Sequence, residues 1–522
     1  MQIQARATAD ENPFAASERT FAELTNRLTS QEVLAMTHGD LERLLDQDGR
    51  ELLRQLLQDH LDLRGPGEAR SDVVGARGVR RTQARLRDRQ LKTIFGTVVV
   101  SRLGYSARDA ETLFPKDAEL NLPPDLYSHG VQRRVTDEVV KTSFDQAAAS
   151  IAATTGTTVP KRQLEEVTAR ASSDFDAFYD ARSAESVREA NKSGAILAMS
   201  TDAKGIVMRP YALRDATRKA AKDRTHKMSK RLSRGEKRNC KRMAQVATVF
   251  TIATFARKPE DIVTDLGPPT DRADVAVRPR PENKRVWASI AKEPRDVIEQ
   301  MFQEALRRDP AGKKRWVALV DGNPTQLRLI KKAARRHDVA PTVILDVIHV
   351  LEYLWKAGFA LHGEGNPRTQ RWVSQRLLEI LRGRSSDVAA GMRRGATLRK
   401  IKAADRAPID DCADYLLKYR RYLRYDQYLA AGMPIATGVI EGACRHLIKD
   451  RMDITGACWG LEGAEAVLKL RSLRSSGDLD AYWTFHERAE FRRNHLDRYQ
   501  AEPPATAHPL KLAGRRHLRL VR

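Results

Sequence analysis

Asp202, Asp321 and Glu441 are the residues of this chain whose type and surroundings best suit them to chemistry. Asp202 closes the apolar run Ala195-Ile-Leu-Ala-Met-Ser-Thr-Asp, which reads as a buried strand ending in a carboxylate. Asp321 follows a second such run, Trp316-Val-Ala-Leu-Val, and opens Asp-Gly-Asn-Pro. Carboxylates placed there project from the carboxyl edge of a sheet, where α/β folds put their sites. Each also reads as a turn aspartate bonded to its own backbone. Two such strands in one sheet supply hard oxygen ligands on a rigid edge, which is what a divalent cation needs. Glu441 lies in Thr437-Gly-Val-Ile-Glu-Gly-Ala-Cys-Arg, the first turns of a helix, where the helix dipole favours an ionised carboxylate. The alternative is an i to i+4 pair with Arg445, and Asp450 and Glu462 are nearby competitors.

The elements that must hold these residues follow from hydrophobic spacing. Residues 17–62 carry leucines three and four apart and read as helices, with Ser30 and Thr37 as caps. Residues 93–103 are β-branched and read as a strand or hairpin. Further on, 144–151, a turn at Gly156 and 160–167 have the layout of a helix-turn-helix, with Pro160 in the first turn of the second helix and Lys161 and Arg162 at its groove-facing start. An ordinary helical hairpin has the same pattern. From Gly194 the signal switches to strands, at 195–202, 243–253, 316–321 and 342–346, separated by helical stretches, so a mixed α/β sheet is expected. After His349 no strand signal remains, and residues 350–430 read as helices ending in a tyrosine-rich stretch. A new helix starts near Thr437, and the segment from Ala501 is Pro-rich, then basic, and expected to be disordered.

Composition narrows the function. The chain has 522 residues, enough for several domains, with 92 Lys and Arg against 68 Asp and Glu, a net charge of +24. Such an excess calls for a polyanion, and nucleic acid is the commonest partner. The excess is concentrated, because residues 218–242 hold twelve Lys or Arg against Asp223 and Glu236. A solvated charged insertion is the bland alternative for that stretch. Four cysteines without a Cys-x-x-Cys pair argue against a disulfide scaffold or a zinc knuckle. The longest apolar run is too short to span a bilayer and no secretory pattern opens the chain, so a cytoplasmic, nucleoid-associated protein without membrane contact is expected. No Gly-x-x-x-x-Gly-Lys-Ser/Thr occurs, which disfavours a P-loop ATPase.

Aspartate on the first strand, aspartate after a later strand, and glutamate beyond a helical segment is the layout of an RNase H-like DDE transposase. The phrases Ser200-Thr-Asp-Ala-Lys-Gly-Ile-Val-Met, Val320-Asp-Gly-Asn-Pro-Thr-Gln, Leu345-Asp-Val-Ile-His-Val-Leu-Glu-Tyr-Leu-Trp and Gly438-Val-Ile-Glu-Gly-Ala-Cys-Arg-His-Leu-Ile-Lys-Asp-Arg-Met resemble the ISKra group of bacterial insertion-sequence transposases, relatives of the Mutator-like superfamily. The resemblance covers residues 80–490. It implies that Asp202, Asp321 and Glu441 are the three metal-binding carboxylates, and that Asp346 and His349 match the Asp-x-x-His form of the motif that follows the second aspartate. By chemistry alone, His349 one turn beyond Asp346 either orients a phosphate or carboxylate, or packs beside a capping aspartate. Two departures stand out: Cys458 occupies a position where related sequences tend to carry arginine, and the cysteines they often carry before the helix-turn-helix are replaced by Ser106 and Ala110.

The resemblance implies six stretches: a helical and β region at 1–115, a helix-turn-helix-like DNA-binding domain at 116–190, an RNase H-like core at 191–350, a helical insertion at 351–433, closing helices at 434–490 and a basic tail at 491–522. The implied reaction is phosphoryl transfer assisted by Mg2+, with Mn2+ as the alternative metal, which nicks the element end and joins the freed 3′-hydroxyl to target DNA. Double-stranded DNA, both element ends and target, is the implied partner, held by a homo-oligomer. Phosphate contacts are expected from Arg218, Lys219, Lys230, Arg231, Arg238 and Lys241 in the basic run, from the tail, and from Arg445, Lys449 and Arg451 beside Glu441, while Lys161 and Arg162 would read sequence. A nuclease without strand transfer and a silent DNA-binding descendant are the competing readings.

Overall fold

The computed structural model describes residues 12–182, 185, 189, 192–222, 240–265, 277–454 and 456–507. The candidate phosphate contacts Lys230, Arg231 and Arg238, and the basic tail from 508, lie outside the described residues. Internal contacts divide the chain into two units, residues 1–174 with 480–522, and residues 175–479.

The first unit begins with helices α1 (Ala15–Leu28) and α2 (His38–Leu63). Thr37 caps α2 by accepting from Asp40 N, and Ser30 does the same for the short helix Gln31–Leu34. Strand β1 (Glu68–Ala69) is followed by the antiparallel hairpin β2 (Gln83–Thr93) and β3 (Gly96–Ala107), with β4 (Ala110–Leu113) on its edge. β2 escapes the sequence pattern because it mixes charged residues with a mostly exposed surface, and only its end at Leu91 and Thr93 is buried. Three helices then pack together: α3 (His129–Val139), α4 (Phe144–Thr154) and α5 (Lys161–Ala171). Their shared core is Val131, Val135, Val139, Ala147, Ile151, Leu164 and Val167. A capping box between Ser143 and Gln146 starts α4. Gly156 after it tolerates no side chain, since a Cβ there would lie 2.2 Å from the carbonyl oxygen of Phe95. Pro160 sits one residue before α5, at its cap.

The second unit is built on a five-stranded sheet of β5 (Ile196–Val207), β6 (Lys241–Ile252), β7 (Glu282–Ser289), β8 (Arg315–Val320) and β9 (Thr342–Leu345), in the order β7-β6-β5-β8-β9. The first three strands form an antiparallel meander, and β8 and β9 join β5 in parallel. The sheet is therefore mixed, as the alternation of strand and helix signals predicts. Helices α6 (Asp215–Lys222), α7 (Pro294–Arg308) and α8 (Pro324–Arg336) lie between strands in the sequence, α8 following β8 directly. After β9 come α9 (Val347–His362) and the helices Pro367–Leu381, Ser385–Leu398, Ala403–Tyr419 and Tyr425–Ala430. The chain returns to the sheet through α10 (Gly438–Ala443), a π-helical turn at Cys444–Lys449, and α11 (Leu461–Ser476), whose Ser472 and Ser476 hydroxyls accept from Ala288 and Val286 N on β7.

Two sequence expectations change here. Asp202 does not end its strand: β5 continues to Val207, because residues 201–207 keep pairing with β6 after the parallel pairing with β8 stops at Ser200. A strand also exists after His349, since β10 (Thr506–Ala507) pairs with β1, so the Pro-rich segment is ordered as far as Ala507. Its helix α12 (Leu479–Asn494) belongs, from Asp480 on, with the first unit rather than with the sheet.

Candidate active site

Asp321 stands one residue beyond β8 and Asp346 one beyond β9, so both leave the same edge of the parallel half of the sheet. Asp346 N donates to Val320 O at 2.8 Å, which ties the two strand ends together. Asp202 lies two residues past Ser200, where β5 parts from β8, and is one-fifth exposed.

The turn at Asp321 is built by its neighbours. Asp321 Oδ1 accepts from Asn323 N at 2.8 Å, and Asn323 caps α8. Gly322 has φ +95°, and a Cβ there would press on Leu345, Tyr415 and Tyr419. Tyr415 donates to Asp321 O at 3.1 Å, Tyr419 to Gly322 O at 2.5 Å, and Tyr425 to Leu345 O at 2.7 Å. Tyrosines of the long helical segment therefore fix the backbone that presents Asp321 and Asp346. Burial pushes the hydroxyl pKa of Tyr415 and Tyr425 upward, so both stay protonated donors.

Asp346 has no solvent exposure. Its Oδ1 accepts from Ile348 N at 3.1 Å and Thr437 N at 3.2 Å, and its Oδ2 takes the Thr437 hydroxyl and His349 Nδ1, the latter at 3.0 Å. One buried carboxylate thus caps α9, orients His349, and holds the residue before α10, the helix that carries Glu441. Ligand atoms of Asp346, His349 and Glu441 lie within 4.8 Å of one another, close enough to share a metal ion. Asp346 already accepts four hydrogen bonds, which suits a holder of ligands better than a ligand. The hydrogen bond to Asp346 raises the His349 pKa, against burial, with Glu352 and Asp321 adding to the rise. Burial and then the Asp346 charge raise the Glu441 pKa, with His349 and Lys204 opposing.

Two residues that the sequence motif does not single out complete the site. Lys204 Nζ is 3.2 Å from Asp202 Oδ2, and Cys444 Sγ donates to the same oxygen at 3.2 Å. The alternation of β5 puts Lys204 on the face of Asp202, and the helical turn puts Cys444 beside Glu441, a spacing that carries no signal until the two elements meet at Asp202. Burial is the largest influence on Lys204 and opposes its charge, yet Asp202 and then Glu441 raise its pKa overall. Asp202 and Glu441 thus share one electrostatic neighbourhood, and His349 links Asp321 to it.

The cationic residues are more scattered. Arg445 and Lys449 are exposed on the π-helical turn, Arg445 loosely paired with Asp450 at 3.7 Å. Arg451 is a correction: it is 2% exposed and lies 4.9 Å over the Trp459 ring, so it packs the turn instead of facing a phosphate. Burial, with Arg471 adding repulsion, lowers its pKa to about 10. Arg218 pairs with Asp215 on α6, a helix with no buried residue, while Lys219 on α6 and Lys241 at the start of β6 are exposed. In the first unit Lys161 and Arg162 begin α5, paired with Asp145 at 2.8 Å and Glu166 at 3.2 Å.

No family model matches this chain, and no curated protein matches it. Among solved structures, the Drosophila P element transposase strand transfer complex is similar at 10% identity and a TM-score of 0.23, over 71% of this chain and 81% of that one, which is too slight to bear on fold or reaction.

Proposed function

We propose that the chain is a DDE transposase of the ISKra kind, with an RNase H-like catalytic core, that cuts DNA at insertion-sequence ends and joins the ends to target DNA. The observation that carries this reading is the sheet. Its three-stranded antiparallel meander followed by two parallel strands is the order expected of an RNase H-like core. Support also comes from Asp321 one residue beyond β8, Asp202 two residues past the point where β5 parts from β8, and Glu441 in a metal-sized cluster with Asp346 and His349.

The donor set fits a hard divalent cation. Glu441 is exposed and its proton affinity is raised partly by neighbouring carboxylates, a repulsion that a cation relieves. A Mg2+ ion held by Asp202, Asp321 and Glu441 would supply Lewis acidity toward the scissile phosphate and the attacking oxygen. The chain's own residues do the positioning. Asp346 fixes the His349 ring through Nδ1, which leaves Nε2 as its second hydrogen-bonding atom. Lys204 holds Asp202 and brings positive charge near the transferring group. Arg445, Lys449, Lys219 and Lys241 provide exposed charge for DNA phosphates, and α5 with its preceding turn provides a groove-reading helix. A homo-oligomer working on nucleoid DNA belongs to the same reading, because synapsis brings two ends together.

The test is an in vitro assay with Mg2+, labelled DNA from the flanks of the reading frame and a plasmid target, comparing wild type with Glu441→Gln. Joined products that vanish with Glu441→Gln are expected. Cleavage without joining identifies a nuclease, and DNA binding without either identifies a silent descendant.

A further inference from the structure

The first unit holds a cavity of about 410 Å³, distinct from the candidate active site and within the usual size of small-ligand sites. Its walls come from β2, β3, β4, the short helix Pro115–Glu119, and the end of α12 with the chain that follows it. Four arginines line it, Arg89, Arg102, Arg493 and Arg498, against two carboxylates, Glu111 and Asp117. Arg493 is neutralised by Asp174 and Glu490, and Arg498 by Glu111 at 2.6 Å. Arg89 and Arg102 are left to share Asp117: Arg102 touches its Oδ2, and Arg89 Nη1 is 3.8 Å from the same atom. Arg89 also donates to the carbonyls of Pro123 and Asp125, and the Asp125 carboxylate, which pairs with Arg170, lies in its electrostatic reach.

Both guanidinium groups are withdrawn from water, with side-chain exposures of 13% and 14%. Arg102 Nε and Asp117 Oδ1 are buried and make no hydrogen bond among the described residues. The Phe114 ring lies 3.9 Å from the Arg102 guanidinium and covers one face, leaving its N–H groups to work in their own plane. Burial and Arg89 lower the Arg102 pKa, with Asp117 offsetting part of the effect. Arg89, Arg102 and Arg170 against Asp117 and Asp125 leave one positive charge that a further anion would neutralise, and the guanidinium fork matches phosphate oxygens.

We propose that this cavity binds a phosphate group, with Arg89 and Arg102 as its direct partners and Arg498 at its rim. The phosphate belongs either to a small phosphorylated ligand or to DNA, and neither case depends on the catalytic reading above.

The test uses the full chain and inorganic pyrophosphate at fixed ionic strength, titrated by calorimetry into wild type, Arg89→Gln and Arg498→Gln, with near-ultraviolet circular dichroism to check folding. One saturable site is expected in wild type, weakened about tenfold or more in Arg89→Gln and less in Arg498→Gln. A parallel titration with duplex DNA separates the sources. If DNA is the source, Arg89→Gln also lowers DNA affinity, and its salt slope falls by about 0.9. If the source is a small ligand, DNA affinity stays as in wild type. Should Arg89→Gln fail to fold, the rim variant Arg498→Gln still decides. Equal binding of both probes by wild type and the folded variants overturns the proposal.

Discussion

Asp346 is the most heavily committed carboxylate of the candidate site, and its removal separates holding from chemistry. Asp346→Asn keeps the shape but loses the charge that His349 and the Thr437 hydroxyl face, so urea unfolding is expected to show a loss of roughly 2–4 kcal/mol. Glu441→Gln, at an exposed position, should leave that midpoint near wild type while abolishing strand cleavage. His349 adds a pH signature. Its folded pKa is raised, chiefly by Asp346, so its contribution to stability is complete below its ordinary value of 6.5 and disappears as pH rises through the folded value. The metal-free protein should therefore lose stability over that rise, and His349→Gln should lack the loss; identical profiles would remove the ion pair from the account. The sequence carried Asp202, Asp321, Asp346, His349 and Glu441 as a pattern of types, and the structure brings Asp346, His349 and Glu441 to one metal-sized cluster. Lys204 and Cys444 went unread because a lysine two residues along a strand and a cysteine three along a helix acquire meaning only when the two elements meet at Asp202.

At the scale of elements, legibility followed apolar burial. β5, β6, β8 and β9 are continuous apolar runs and were visible, whereas β2 and β7 mix charge with burial and were not. The end of β5 was misplaced for a related reason: its last residues, from Asp202 to Val207, look like a turn in isolation and are strand only because β6 pairs with them. Helix caps at Ser30 and Thr37 were readable, since their signals are local. The three-helix group of α3, α4 and α5 gives two expectations. Gly156→Ala forces a methyl into the Phe95 carbonyl and should cost roughly 1–3 kcal/mol by thermal or urea unfolding, with no gain from helix propensity because the residue lies outside α4 and α5. Arg162→Ala should lower the slope of log affinity against log salt for duplex DNA by about 0.9 if the side chain meets a phosphate, and an unchanged slope would assign it to its pair with Glu166.

At the scale of the whole molecule, each unit has a buried acid tied to arginine, and both set acid sensitivity. In the second unit Glu304 is 3% exposed between Arg285 and Arg308, and burial, which alone would raise its pKa, is outweighed by these cations, so the pKa falls to about 2. In the first, Asp174 likewise falls to about 2, burial being overcome by hydrogen bonds from His486 and Arg493. Depressed folded values mean stability that is full above the ordinary values, 4.5 and 3.8, and is lost as pH falls toward about 2. Urea midpoints measured from pH 5 down to pH 2 should decline through that window, and a flat profile would exclude both pairs as its source. Glu304→Gln should cost about 3–5 kcal/mol at neutral pH, since two buried guanidinium groups lose their counter-charge. Net charge was legible from composition, but this division into units was not, because nothing in the composition of residues 480–507 marks them as partners of the first 174. The pairing of β10 with β1 has a consequence during synthesis. A ribosome making this protein must release residues as far as 507 before β10 can pair with β1, so residues 175–479 emerge while residues 1–174 still wait for their partners beyond Asp480. A message cut between the codons for residues 479 and 506 would yield a chain whose first unit lacks β10, even though every proposed catalytic residue is already present.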